Sequence, residues 1–584
     1  MRRREFSLLL SGATLLRAEA KLDDPILLAM REELQRSLKL SIAGEAPYYI
    51  EYGLEEGRTY NASASLGGLL TSRIAEYRVP RVQVRVGSYE FDNTNCVYTG
   101  MTRGSRFDSD TWPVEGDRNQ LRQDLWLATD RAYKGAVETI SLKRALLKNM
   151  NQAEKLNDFA KQAPATVILP VIRPKFDQKL GDERIRRLSA VLTAFPKIFD
   201  SRVEHQEGYS TAYYANTEGT LIRMPENLVT IRVRAEALAS DGTPLRDHLE
   251  WHATDAASLP PETEMRRAIE AMAKTLSASV DAPMGEIYTG PVLFSAQAAS
   301  QLLAQVLGEN LSLMRPPVAE PGRPVNLPPS EFEGRIGSRV LPEFFDVVDD
   351  PQARDGQGRR MFGCYEADME GVIPQPLKLI ERGTLKTLLM TRQPVRGAEG
   401  SNGRARLPGA FGARSAVPSN LLVRASQTTP AGELKAKLME LVKQRGKPYG
   451  VIIEKLDFPS SAGMGELRRM ISGAQAGGGA RPIALPLVAY RIYPDGRQEM
   501  VRGMRFRGLN ARALRDILMA GDDSHKLDYQ ANSYPLSVMG ARGFVASVSV
   551  LAPSLLFDEL DLDRPQEERP RLPIVPPPPA ESES

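Results

Sequence analysis

The feature that most constrains this chain is a change of texture near Tyr288. Before it, helical periodicity alternates with strand-like segments; after it, short strands and turns dominate. Helix signals before the change and strand–turn signals after it predict an α+β protein rather than one repeated unit. Residues 24–41 and 116–158 read as helices, the second because Leu121, Leu125, Ala128, Ala132, Ala136 and Ile140 recur at helical spacing. Between them Val82-Gln83-Val84-Arg85-Val86 alternates like a half-buried strand. These elements define an N-terminal α/β region, 21–175. A middle α/β region, 176–286, follows, with helices at 182–194 and 262–278 and strands at Tyr209–Tyr214 and Val229–Val233, turning through Asn216-Thr217-Glu218-Gly219.

The β-rich part spans 287–562. Glu381-Arg382-Gly383 and Pro494-Asp495-Gly496 mark hairpins. Two helices interrupt, near 431–445, opened by Thr429-Pro430, and at 510–519. Residues 459–482, with Gly477-Gly478-Gly479, read as a flexible loop, and the Pro-rich tail 563–584 as disordered or extended.

At the other end, Arg2-Arg3-Arg4 precede a mostly apolar run to Leu16, and Ala18-Glu19-Ala20 offers a small-x-small cleavage site. This is the layout of an export signal over 1–20, with Arg3-Arg4-x-Phe6 of twin-arginine type. The expectation is an exported, periplasmic or extracellular protein, the alternative a cytoplasmic one. No later apolar run approaches the ~18 residues of a spanning helix. The formal charge of +3 falls to +1 without residues 1–20, and no basic stripe supports nucleic-acid binding. Cys96 and Cys364 stand alone, so their disulfide state stays open.

Gly290-Pro291-Val292-Leu293-Phe294 runs into Ser295-Ala296-Gln297-Ala298-Ala299-Ser300-Gln301, a helix capped by Ser295. Its spacing predicts an amphipathic packing helix with Ala298, Leu302, Leu303 and Val306 inward and Gly308 at its end. His248-Leu-Glu250-Trp-His252 has its Glu at the wrong offset for a zincin, and as a strand would hold the imidazoles about 13 Å apart. Asp346, Asp349, Asp350 and Asp355 read as a solvated acidic loop. No Gly-x-Ser-x-Gly elbow or Walker loop appears.

A series of short segments resembles the TldD/PmbA family, formerly called modulators of DNA gyrase. They are Leu125-Trp-Leu-Ala-Thr-Asp-Arg-Ala-Tyr-Lys134, Thr289-Gly-Pro-Val-Leu-Phe294, Val347-Val-Asp-Asp-Pro351, Asp368-x-Glu370-Gly-Val372, Ser401-Asn402-Gly403, Pro418-Ser419-Asn420-Leu421, Tyr490-Arg-Ile-Tyr-Pro-Asp-Gly496 and Ala552-Pro-Ser-Leu-Leu556. Their order carries the resemblance. It implies an α/β N-terminal part joined to a β-rich C-terminal domain, and pairs in which one subunit holds a metal and together they cut unfolded peptides. The family's HExxxH helix corresponds to Ala296, Gln297 and Gln301, and its further Cys ligand has no counterpart after Cys364. No metal or other cofactor is expected, because zinc hydrolysis needs about three ligands and a base. The resemblance points to a subunit, non-catalytic alone, that binds peptide or unfolded polypeptide and pairs with itself or a TldD-like chain. Ser401, Asn402, Gly403, Arg404, Ser419 and Asn420 are candidates to line a peptide cleft. Two rivals are an active hydrolase with a site of its own, around Cys364 or an acid pair, and an envelope binding or scaffold protein.

Overall fold

The computed structural model describes residues 24–42, 44–97, 111–148, 156–171, 173–320, 322, 330–409, 412–461, 483–531 and 545–564. The export signal, the Gly477–Gly479 loop and nearly all of the Pro-rich tail lie outside them.

The N-terminal body contains α1 (Pro25–Ser37), β1 (Pro47–Ser65), β2 (Gly68–Val86), α2 (Arg118–Leu147), β3 (Thr166–Ile168), α3 (Gln178–Ala190), β4 (Ile198–Asn216), β5 (Leu221–Leu238), β6 (Pro244–Ala253) and α4 (Glu262–Ser279). Asp24 opens α1 by accepting from the Ile26 and Leu27 amides, with Pro25 in the first turn. A two-residue turn, Leu66-Gly67, joins β1 to β2 with both residues at positive φ, the geometry that matches strand twist. The strands form one six-stranded sheet in the order β2-β1-β4-β5-β3, with β6 also on β5. The sequence-based boundary at 175 therefore falls inside a shared sheet: β1 and β4 are antiparallel neighbours from either side of it. On one face, Ile50, Tyr52 and Leu54 pack with α1 and α2 residues, while Tyr60, Ala62 and Ala64 pack with α3 and α4 residues. The other face meets the C-terminal body. Gln83 and Arg85 are buried there, both donating to the Gly412 carbonyl, so the β2 segment expected to be half-buried is covered on both sides.

The C-terminal body contains β7 (Tyr288–Phe294), α5 (Ala296–Val306), β8 (Phe345–Asp349), β9 (Leu377–Glu381), β10 (Thr384–Leu385), β11 (Ala405–Pro408), β12 (Arg414–Ala416), β13 (Asn420–Ala425), α6 (Ala431–Gln444), β14 (Gly450–Leu456), β15 (Pro486–Ile492), β16 (Gln498–Val501), β17 (Arg505–Phe506), β18 (Ile517–Ala520), β19 (His525–Ala531), β20 (Ala546–Ala552) and β21 (Leu555–Asp563). One sheet runs β10-β9-β8-β13-β20-β19; the other runs β16-β15-β14-β7-β21-β17, with β18 on β21. Their inner faces share one core with α5, and α6 packs against Leu293, Ile452 and Leu556 of the second sheet. β11 and β12 form a separate hairpin.

Several boundaries moved. The second helix stops at Leu147, and 156–158 is not helical. The helix expected at 510–519 is a 3-10 turn (Ala511–Asp516) followed by β18, because Ile517 and Met519 pair with β21. Thr429 does not cap α6; the Asp522 side chain accepts from the Ala431 amide instead, 2.8 Å away. Cys96 and Cys364 are free thiols.

Candidate functional site

Ser295 caps α5 as expected, accepting from the Ala298 amide and donating to the Glu454 carbonyl. The helix is not amphipathic, however. Ala296 and every residue from Ala298 to Val306 are buried; Gln297 alone on α5 is half-exposed. Lying between two sheets, it presents only Gln297 toward solvent.

The Gln301 amide is fully engaged. Its Nε2 donates to the Leu456 and Phe458 carbonyls at 3.0 and 2.7 Å, and its Oε1 accepts from the Leu456 amide at 2.8 Å. One turn on, Gln305 bridges the Gln301 carbonyl and the Ala484 amide in the same manner. Zinc needs imidazole, thiolate or carboxylate donors. Ala296 offers none, Gln301 has its donors and acceptor on backbone, and Gln297 is not a base. These residues do not fit a zinc ion. Among the described residues, no group of three or more His, Cys, Asp or Glu is placed to hold a metal.

What Gln301 holds is the end of β14, which meets β6 of the N-terminal body. Lys455 donates to Asp247 Oδ1 at 2.6 Å and to the His248 carbonyl, and Arg246 donates to Asp457 Oδ2 at 2.8 Å. His248 is buried beside them, and burial, with the Lys455 charge adding to it, pushes its pKa down. Along the same strand, Gln530 donates to Thr230 Oγ1 at 2.8 Å, Thr230 lies 3.1 Å from His252 Nδ1, and His252 Nε2 lies 3.1 Å from Glu250. Phe362 stacks on the imidazole. With the amide donating, the Thr230 hydroxyl proton is left for Nδ1, so Nε2–H donates to Glu250. Burial would raise the Glu250 carboxyl, but the His252 hydrogen bond and the Arg232 charge outweigh it and hold it down at about 2. Thr230 is only 4% exposed, which makes this series a joint between the bodies rather than an open nucleophile.

The six residues considered for a peptide cleft fall in the C-terminal body near β8 and β11. Arg404 is fully buried: its Nε donates to Asp349 Oδ2 at 2.6 Å, and Nη2 donates to the Gln375 carbonyl. Asp349 also accepts from the Ser419 amide, so it is a core ion-pair partner and not part of a solvated loop. Asn420 is fully buried, accepting from the Gly363 amide and donating to the Asp350 carbonyl. Asn402 bridges the Met390 amide and the Leu388 carbonyl; Ser401 accepts from the Gly403 amide, and the Gly403 carbonyl takes the Tyr365 hydroxyl. Asp368 of the Asp-x-Glu-Gly segment accepts from the Glu370, Val372 and Ala405 amides, and burial followed by Glu370 pushes its pKa up to about 7. Most of these side chains therefore spend their hydrogen bonds on their own chain.

Incompletely buried polar groups lie elsewhere, on the N-terminal sheet face toward the C-terminal body and on β11. Glu226 on β5 is exposed, on the sheet face that looks toward the C-terminal body. Tyr77 donates to Glu55 at 2.8 Å across Gly57, where a Cβ would lie 2.9 Å from the Tyr77 hydroxyl and 2.6 Å from Ser210 Cβ. Arg406, on β11, stacks on Tyr365 and donates to the Pro418 carbonyl. The sequence reading stopped at Arg404 and missed Arg406 two residues on; Glu226 carried no sequence signal.

Residues 288–484 match the PmbA/TldA metallopeptidase C-terminal domain. Over that segment the chain is similar to the TldD/PmbA family. A protein named metalloprotease from Methanothermobacter thermautotrophicus is 28% identical over 240 residues, 40% of this chain and 46% of its own length, so the match spans about half of that relative. Three crystal structures share the fold at low identity. TldE from Thermococcus kodakarensis has a TM-score of 0.55 at 12% identity, covering 92% of this chain and 100% of its own. A protein described as a putative modulator of DNA gyrase from Thermotoga maritima has 0.52 at 15%, covering 88% and 96%. One so described from Bacteroides thetaiotaomicron has 0.52 at 10%, covering 92% and 98%. The chain shares this fold, and its α5 carries no His, Cys, Asp or Glu.

Proposed function

We propose that this chain is a metal-free member of the family that binds peptide or unfolded polypeptide and takes part in proteolysis or peptide processing with a metal-bearing relative. The observation that carries the reading is Gln301: at the position of the second histidine stands an amide with three backbone hydrogen bonds. A metal could take this position only at the cost of those bonds. The space between the bodies, with Glu226, Tyr77 and Arg406 around it, is the proposed contact region for peptide. There the contribution is walls and backbone pairing rather than chemistry. Export by residues 1–20 is part of the proposal and rests on sequence alone. No described helix is long and apolar enough to cross a membrane.

The test is purification from the native host, followed by a peptidase assay on an unfolded peptide. Co-purification of an HExxxH-bearing chain, peptide binding by this chain alone, and cleavage only with the partner present are the expected results. Cleavage by this chain alone that survives EDTA would overturn the reading in favour of a hydrolase with its own site. An N-terminus at Met1 in native material would remove the export step.

A further inference from the structure

A recess of about 90 Å³ lies where the two bodies meet. The N-terminal body supplies the start of β6 and the last turns of α4; the C-terminal body supplies the start of β15 and residues 502–505. Much of the wall is apolar: Leu276 and Met504 are buried there, and Leu485 and Leu487 are half-buried. Its polar groups are mostly answered. Lys455 pairs with Asp247 at 2.6 Å, and Asp457 pairs with Arg246 at 2.8 Å. The Thr275 and Ser279 hydroxyls donate to the Ala271 and Leu276 carbonyls of their own helix. Arg502 differs. Its Nε donates to the Ala282 carbonyl and its Nη2 to Asp241 Oδ2, both at 2.8 Å, while Nη1 is buried without a hydrogen-bond partner. A buried donor with no acceptor is costly. Half-exposed Arg505 adds positive charge to the same wall.

We propose that this recess binds a small carboxylate carrying an apolar group, its carboxylate on Arg502 and its apolar group against Leu276 and Met504. The hydroxyl protons on α4 are spent and the acids are paired, so Arg502 Nη1 is a donor in want of an acceptor. Guanidinium suits a carboxylate in charge and in planar geometry. A water needs only about 10–15 Å³ of such space, so the recess has room for several heavy atoms. A phosphate would set most of its oxygens against apolar wall, where they lose hydration without gaining partners. The carboxylate can belong to a free acid or to the C-terminal end of a peptide whose last residue is apolar; only the second source rests on the peptide-binding reading. Because both bodies build the wall, a bound carboxylate ties them together and stabilises the folded chain.

The experiment uses the full chain at constant ionic strength. N-acetyl-leucine raises the melting temperature saturably, and its neutral isostere N-acetyl-leucinamide does not. Arg502→Gln weakens N-acetyl-leucine roughly tenfold or more, the effect of losing one charge-assisted hydrogen bond. Thr275→Glu, which sets a carboxylate on the α4 wall, removes the response in a folded protein and decides the matter if Arg502→Gln does not fold. A leucine-ended peptide that binds more tightly than its C-terminal amide, read by fluorescence anisotropy, identifies chain ends as the source. Equal binding of the two peptides beside a retained N-acetyl-leucine response identifies a free acid. Equal responses to N-acetyl-leucine and its amide, no saturable response, or a response unchanged in folded Arg502→Gln or Thr275→Glu overturns the proposal. Peptide binding that ignores the end group, with no N-acetyl-leucine response, overturns this inference and leaves the peptide reading standing.

Discussion

In the C-terminal body two sheets close over α5, and even the glutamines of that helix are consumed by backbone. In the N-terminal body a single sheet has helices on one face, a partly open polar face on the other, and an outer strand, β2, beyond which no described strand pairs. The difference separates two uses of polar residues. Inside the C-terminal body, Gln301, Arg404 and Asn420 substitute for missing ladder partners and fix loops to strands. On the N-terminal sheet, Glu226 and the β2 edge remain available. Buried polar groups are costly unless paired, so polar residues in a closed layer act as joints, whereas an open layer can leave them as contacts.

The largest effect expected from breaking the closed layer is at Leu302, which is fully buried in the shared core. Leu302→Ala should cost roughly 2–5 kcal/mol by urea denaturation; a loss below about 1 kcal/mol would mean that α5 is not central.

The N-terminal counterpart is acid sensitivity. His205 is 2% exposed with neither ring nitrogen hydrogen-bonded, and burial, followed by the Arg184 charge, pushes its pKa down to about 4. The unfolded chain therefore binds the extra proton first. Stability present above pH 6.5 is lost as pH falls toward 4, by roughly 3 kcal/mol over that window. His205→Leu should flatten this part of the pH–stability curve, measured as denaturation midpoints at pH 7 and pH 4.5. An unchanged slope would assign the acid loss to other groups.

Gln301→Ala should follow at about 2 kcal/mol, because it strands the Leu456 amide and two carbonyls inside the core. The triple change Ala296→His, Gln297→Glu and Gln301→His should lose the same bonds without yielding a good peptidase, assayed with added zinc, since no thiolate ligand and no supporting shell accompany it. Robust cleavage by that variant would show that the site had stayed organised for metal.

The smallest effect is expected at Gln297. Gln297→Ala should change stability by no more than about 0.5 kcal/mol and leave peptide binding intact. Loss of binding, read by fluorescence anisotropy of a labelled unfolded peptide, would bring α5 into the contact region.

Local signals made much of the fold legible. The Asp24-Pro25 start of α1, the cap at Ser295, the 377–385 hairpin and the strand at His248–His252 each rest on residues close in sequence, whose dihedral and capping preferences act without the rest of the chain. The shared sheet across residue 175 was not legible, because β1 and β4 lie far apart in sequence and pairing between them leaves no local trace. The strand at Ile517–Ala520 was missed for the same reason: β21 decides its conformation. At the candidate site, the sequence by itself determined that α5 lacks zinc-ligand chemistry, since Ala and Gln at 296, 297 and 301 supply no zinc donor or base in any fold. Only the tertiary structure decided that Gln301 clasps β14, that Arg404 is buried on Asp349, and that Glu226 stands open. A polar side chain can be buried or exposed with equal ease by its own propensity, and which one occurs depends on whether a distant backbone group or charge arrives to satisfy it.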